Sequence, residues 1–314
     1  MTLVLCDLGG TNCRFAMPDS GDIGPVTAFK NDNHVDFLSA VQAYCAQMKV
    51  SRIDGLIVAL AAPTQAQEIQ LTNSSWVLSN SNLQSALYGA EVAFLNDLQA
   101  VALGLDGPGL NVRTLRTGHP SSKCHRLVVN IGTGFNTAAL TAEGTVLACE
   151  AGHATFPAET EFDHLIQAVF ARRFGRCSLD RVLSGSGLMT IYDIACKFLE
   201  QETEHKTSEA LLIAAIQGSQ TAATMACSEF CRLVGRISGD LALTFLATGG
   251  VWMTGGLGRA LEPLLRAGRT GFFEALEDKG RMTDLAKTFP IHVIQNDVAA
   301  LQGCLRYAAM QGIQ

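Results

Sequence analysis

The sequence predicts a two-lobed α/β protein, and three observations carry that reading. A strand of buried type followed by a glycine turn occurs twice. Val4-Leu5-Cys6-Asp7-Leu8-Gly9-Gly10-Thr11 lies without a gap over Leu127-Val128-Val129-Asn130-Ile131-Gly132-Thr133-Gly134, and a supersecondary unit repeated in distant parts of one chain points to two lobes of related fold. Strand and helix patterns alternate in β-α-β order in the N-terminal third. At 314 residues the chain exceeds one typical core and suits two.

Taken in order, Leu3 to Cys6, Cys13 to Met17 and Val26 to Phe29 read as a meander of strands. Phe37, Leu38, Val41, Tyr44, Cys45 and Met48 recur at helical spacing, which predicts an amphipathic helix from His34 to Met48. Gly55 to Ala61 and Val92 to Leu95 are further buried strands, the second ending at Asn96-Asp97. Leu98, Val101, Ala102 and Leu105 then continue as a helix. Gly104 to Gly109 and Arg116 to Lys123 have linker composition, and a second set of strands starts at Arg126. From Thr160 to Leu246 the pattern is helical, interrupted at Ser184 to Gly187 and at Glu202 to Thr207. Strands at Val251 to Thr254 and Ile291 to Ile294 and a helix from Asp297 to Met310 complete the chain.

Nearly half the residues are apolar and 17% are charged, a globular composition; 23 Lys and Arg against 29 Asp and Glu give a net charge of -6. A nucleic-acid partner is disfavoured, because non-specific binding needs a basic surface. The longest apolar stretches, such as Gly55 to Ala62, fall well short of the roughly 20 residues of a membrane helix. With no cleavable apolar leader either, the expectation is a cytoplasmic chain with no membrane partner. Ten scattered cysteines without a C-x-x-C pair read as small buried hydrophobes. Cys227 and Cys231 share a helix face but lack further ligands.

Glycines at 9 and 10 leave backbone N–H groups open to an anion, and Thr11 and Asn12 add donors, so the turn after the first strand suits phosphate. Asp7 at the strand's end is placed to hold magnesium, through water. Gly132-Thr133-Gly134 repeats the turn. Neither copy has the G-x-x-x-x-G-K-[ST] or G-x-G-x-x-G pattern. Asn96-Asp97 stands where a strand meets a helix, so Asp97 reads either as a cap or as a general base for an attacking hydroxyl. Glu150-Ala151-Gly152-His153 offers a carboxylate, a close backbone approach and an imidazole, suited to a polyol. Metal binding ranks lower without a third ligand. The glycine pairs of Gly249 to Gly256 read either as tight packing or as room for a nucleobase beyond a strand end.

In order through nearly the whole chain, these motifs resemble the bacterial glucokinase family of the actin-like, hexokinase and heat-shock ATPase superfold. The resemblance also takes in Leu71-Thr72-Asn73-Ser74-Ser75-Trp76, the run Arg181 to Leu188, and Glu277-Asp278-Lys279-Gly280-Arg281. It implies an actin-like (ribonuclease H-like) fold, two-lobed, with mixed five-stranded-type sheets flanked by helices and an interlobe cleft. The small α/β domain would be residues 1–107 plus 298–314 and the large one 108–297. The implied activity is ATP-dependent phosphorylation of glucose at its 6-hydroxyl, with ATP and magnesium as cofactors and a homodimer as the assembly. Asp97 is then the catalytic base, and Asn73, Asn96, Asp97, Glu150, His153 and Asp180 lie at the sugar. Asp7, Gly9, Gly10, Thr11, Asn12, Gly132, Thr133, Gly134, Gly255 and Gly256 lie at the nucleotide.

Three departures bear on the substrate. Asp180 stands where the family has glutamate, Asn136 where it has glycine, and Thr64-Gln65-Ala66-Gln67 follows Pro63 in place of a turn glycine. They leave another hexose or an amino sugar as alternative substrates, and a sugar-binding regulatory protein without turnover as an alternative class. No helix-turn-helix pattern precedes the first strand, which weighs against a DNA-binding repressor. A filament protein would have no use for Glu150 and His153.

Overall fold

The computed structural model describes residues 2–62, 64, 66–71, 76–119 and 123–313. The chain divides into two compact units, Met1–Asn111 with Asn296–Gln314, and Val112–Gln295.

The sheet of the first unit is built from β1 (Leu3–Leu8), β2 (Asn12–Ala16), β3 (Thr27–Lys30), β4 (Gly55–Leu60) and β5 (Glu91–Asn96), in the order β3-β2-β1-β4-β5. β1 and β2 pair antiparallel, as do β2 and β3, while β4 and β5 extend the sheet in parallel. β4 is buried at every residue, as expected of a parallel strand covered on both faces. β1 runs two residues further than its apolar run suggests, so Asp7 lies inside the ladder, directly opposite Arg14. Helix α1 (Phe37–Gln47) starts later than its periodicity suggests because Asp36 caps it, accepting the Ser39 N–H at 2.7 Å. Its buried Phe37 and Tyr44 stack on Phe15 of β2.

Besides the short helix Asn80–Ala86, this unit holds α2 (Asp97–Leu103) and the C-terminal helix (Ala299–Gln311). Their backbones nearly touch: a Cβ added at Gly303 would stand 1.7 Å from the Ala100 carbonyl oxygen. Gly104 is buried against the same helix, with an added Cβ 1.9 Å from the Ala299 oxygen. The start of the stretch that resembled a linker, Gly104 and Leu105, is therefore packed core, while Asp106, Pro108 and Gly109 are exposed. Asn296 holds the re-entering chain beside the departing one, accepting the Asn111 N–H and donating to the Gly109 carbonyl.

In the second unit the sheet comprises β6 (Val112–Arg116), β7 (Arg126–Ile131), β8 (Phe135–Leu140), β9 (Val146–Ala148), β10 (Val251–Thr254) and β11 (Ile291–Ile294). Their order is β6-β11-β10-β7-β8-β9. Without the antiparallel edge strand β6, this is the order and pattern of directions of the first sheet, with β7 in the place of β1. The internal sequence similarity thus corresponds to a repeated topology. Arg116 ends β6 and does not open a linker: it ion-pairs with Glu277 and donates to the carbonyls of Ala286 and Phe289. The Glu277–Arg281 motif is structural in the same sense, since Lys279 Nζ donates to the Arg236 carbonyl and pairs with Asp240 at 2.8 Å.

The helical region comprises α3 (Glu161–Phe174), a short helix Leu179–Val182, α4 (Gly185–Phe198), α5 (Ser208–Gln217) and α6 (Thr221–Thr244). Its expected interruptions at 184 and 207 are N-caps: Ser184 accepts the Gly187 N–H and Thr207 accepts the Ala210 N–H. Under α3, Asp163 is fully buried and ligated on all sides, by the N–H groups of Glu159 and Thr160 and by the guanidinium groups of Arg232 and Arg236. Burial would raise its pKa. The Thr160 and Glu159 hydrogen bonds and the two arginines outweigh burial and hold the carboxyl below its ordinary value. Cys227 and Cys231 are buried in α6, and all ten cysteines are free thiols. Among the described residues no single helix is long and apolar enough to cross a membrane.

Asp163→Asn leaves two arginines facing one neutral amide and is expected to destabilise the protein by about 3–5 kcal/mol, measured by urea unfolding. Because the folded pKa is depressed, this stabilisation is present above the ordinary carboxylate range. It is lost as pH falls through the Asp163 folded value, so the gap between wild type and mutant narrows in acid. Gly303→Ala forces the C-terminal helix off α2 and is expected to cost about 1–3 kcal/mol, read as a lowered Tm.

Candidate active site

The β1–β2 hairpin is closed at its base by the Gly9 N–H donating to the Asn12 carbonyl at 2.9 Å. Asn31, just after β3, holds it from behind. Its backbone N–H donates to the Thr11 carbonyl and its Nδ2 to the Gly9 carbonyl, both at 2.9 Å. Three carbonyls of the loop are thereby drawn inward, and Gly10 and Thr11 are exposed at the tip. What such a tip offers an anion is backbone N–H and the Thr11 hydroxyl. Sequence reasoning missed Asn31, which is 4% exposed. A lone Asn at a strand end carries no pattern, and only the fold brings it to the loop.

Beside the loop, Arg14 bridges two carboxylates, donating to Asp7 at 3.2 Å and to Asp297 at 2.9 Å. Burial pushes the Asp7 carboxyl above its ordinary value; Arg14 opposes the shift and Asp297 adds to it. Hard carboxylate oxygen suits magnesium, so Asp7 fits the expectation placed on it. No group of three His, Cys, Asp or Glu side chains among the described residues could enclose a metal. An ion at Asp7 would therefore complete its shell with water and phosphate.

Asn96 and Asp97 stand at the end of β5. The cap is made chiefly by Asn96, whose Oδ1 accepts the Leu98 and Gln99 N–H groups while its own N–H donates to Gln99 Oε1 at 3.2 Å. Asp97 Oδ1 accepts the Leu98 N–H at 2.9 Å. Half-buried at the first helical position, its carboxylate is fixed at the strand end by that hydrogen bond.

In the second unit the β7–β8 hairpin is closed by the Gly132 N–H donating to the Gly134 carbonyl at 2.9 Å, and the Gly185 N–H donates to the Gly132 carbonyl. Gly255, with φ +90°, follows β10 so closely under β7 that a Cβ would stand 2.4 Å from the Ile131 carbonyl oxygen. A helix (Gly256–Arg266) starts there. The hairpin and a glycine-lined helix N-terminus thus lie together, as an anion site requires.

Glu150 and His153 lie on a turn after β9, with His153 Nε2 3.7 Å from Glu150 Oε2 and both side chains mostly exposed. Arg176 holds the turn through the His153 carbonyl at 3.0 Å. Asp180 Oδ1 accepts the Phe135 N–H at 3.0 Å, which fixes the carboxylate beside the β7–β8 hairpin. Asn136 does not crowd the hairpin tip, because its side chain turns to Glu150 and Gly152. Asn73 lies outside the described residues.

Asn31→Ala removes a buried anchor of the first hairpin. Amide hydrogen exchange at Gly9 to Asn12 is expected to speed up about tenfold, as for the loss of a hydrogen bond of about 1.4 kcal/mol, with exchange in β7 and β8 unchanged.

A family profile described as Glucokinase matches residues 4–311. The glucokinase of Caulobacter sp. (strain K31) is 32% identical over 307 residues, covering 95% of this chain and 92% of that protein. That of Hahella chejuensis is 30% identical over 303 residues, covering 95% and 94%. Among solved structures, a glucokinase from an Antarctic psychrotroph superposes with a TM-score of 0.87 at 25% identity, covering 98% of this chain and 99% of that one. The mixed α/β architecture is thus that of known sugar kinases, and the chain belongs to the glucokinase family.

Proposed function

We propose that this chain, a hexose kinase by its family, transfers the terminal phosphoryl group of ATP to the 6-hydroxyl of glucose in the cytoplasm. The observation that carries the reading is the pair of like-built sheets, each with a glycine hairpin, after β1 in one and after β7 in the other, together with a carboxylate at the end of β5. Within an actin-like, ribonuclease H-like arrangement, residues 1–107 with 298–314 and residues 108–297 would form the lobes. The hairpins would then meet the phosphates from either side of a cleft. Magnesium, when bound with ATP at Asp7 through water, supplies charge neutralisation on the phosphates.

Asp97 accepts the proton of the 6-hydroxyl as that oxygen attacks. Glu150 and His153, with Asn96, orient the sugar, and the backbone at Gly255 and Gly256 leaves room for the nucleotide. Most of the acceleration then comes from orientation and charge stabilisation, which suits phosphoryl transfer. The functional assembly in this reading is a homodimer.

A coupled assay with ATP, magnesium and glucose tests the proposal. Asp97→Asn is expected to lower kcat by about 10²–10⁴-fold with little change in either KM; full activity in that variant would remove Asp97 from the mechanism. Glucose is expected to give the highest kcat/KM in a panel including other hexoses and amino sugars. Sugar binding in a calorimeter without ATP consumption would instead mark a regulatory protein.

A further inference from the structure

We propose that Asn136 is a positioning residue that sets sugar specificity by clamping Glu150, a role that rests on the reading of Glu150 as a sugar ligand. Asn136 is the second residue of β8 and pairs directly with Asn130 across the hairpin. Its Nδ2 donates to Glu150 Oε2 at 2.9 Å, and its Oδ1 accepts the Gly152 N–H at 3.3 Å. Only this orientation of the amide works. The opposite one would set oxygen against a carboxylate and N–H against N–H.

The clamp acts on two levels. It fixes the Glu150 head group, whose side chain is otherwise 62% exposed and would lose rotamer freedom on meeting a ligand. It also fixes the turn that carries His153, and Gly152 backs onto β8 so closely that an added Cβ would stand 1.9 Å from the Phe135 carbonyl oxygen. With part of Oε2 satisfied by Asn136, the remaining carboxylate lone pairs are pre-aimed acceptors. They favour a sugar presenting hydroxyl donors in one geometry over one that lacks or inverts them. The same β8 start belongs to the second phosphate hairpin, so the sugar turn is held to the hairpin by one amide.

The test compares Asn136→Ala, Asn136→Asp and Glu150→Gln by steady-state kinetics with glucose, its epimers and deoxyglucoses. Asn136→Ala is expected to raise KM for glucose about tenfold, the effect of unclamping one side chain, with KM for ATP unchanged and discrimination between glucose and its analogues reduced. Asn136→Asp keeps the acceptor for Gly152 but sets a second carboxylate against Glu150, and is expected to be worse than alanine. A purely structural role predicts the reverse order, and that result, or parallel rises in both KM values, overturns the proposal. Should Glu150→Gln leave KM for glucose unchanged, the sugar-ligand reading fails and the clamp with it. If Glu150→Gln raises that KM and Asn136→Ala does not, the clamp alone is wrong.

Discussion

Each sheet is organised by the same constraint: one strand, β1 in the first and β7 in the second, must reverse within three residues while leaving the tip of the turn open. In both hairpins one glycine N–H closes the base, at Gly9 and at Gly132. The parallel strands then stack on the far side, so strand ends, helix starts and the hairpin gather at one edge of the sheet. Asp7, Asp97 and Asp297 of the first unit, and Gly255 of the second, owe their places to that arrangement. The two copies differ where chemistry differs. The pair across the first hairpin, Asp7 and Arg14, is charged, whereas its counterpart Asn130 and Asn136 is neutral, so the repeated topology carries a charged pair once and not twice.

Much of this was legible in the sequence because it is local. Apolar runs, the glycine turns and the capping positions of Ser184 and Thr207 each signal through residues a few positions apart. Residues whose role depends on distant partners were not legible. Arg116 looks like linker until Glu277 arrives beside it, and Gly104 looks like a turn until Ala299 packs on it. Asn31 has no motif at all. Asp180 and Asn136 were visible only as departures from a family pattern, and their partners Phe135, Glu150 and Gly152 were needed to give the departures a physical meaning.

Two kinds of polar interaction are buried in this molecule, and they serve different ends. The Asp163 cluster, with its two arginines and two backbone donors, is satisfied by protein alone and belongs to the scaffold. The Arg14 bridge is different: it is partly exposed, holds two carboxylates with one cation, and leaves Asp7 with a raised pKa. Charges left incompletely compensated by protein are suited to a ligand that brings its own charge.

The first unit is discontinuous in the chain, and this gives synthesis a direction. Cys304 lies against the Cys6 carbonyl, Gly303 against Ala100 and Asp297 on Arg14, so β1, β2 and α2 cannot meet these partners until residues 297–304 have been made. At typical translation speeds the whole of residues 112–295 is made in between, a delay of roughly ten to forty seconds. During that wait α2 packs on β4 and β5, while the part of the sheet that the C-terminal helix covers, on β1 and β4, is without its partner. The uninterrupted second unit carries no such wait, since its residues 112–295 are made in one run.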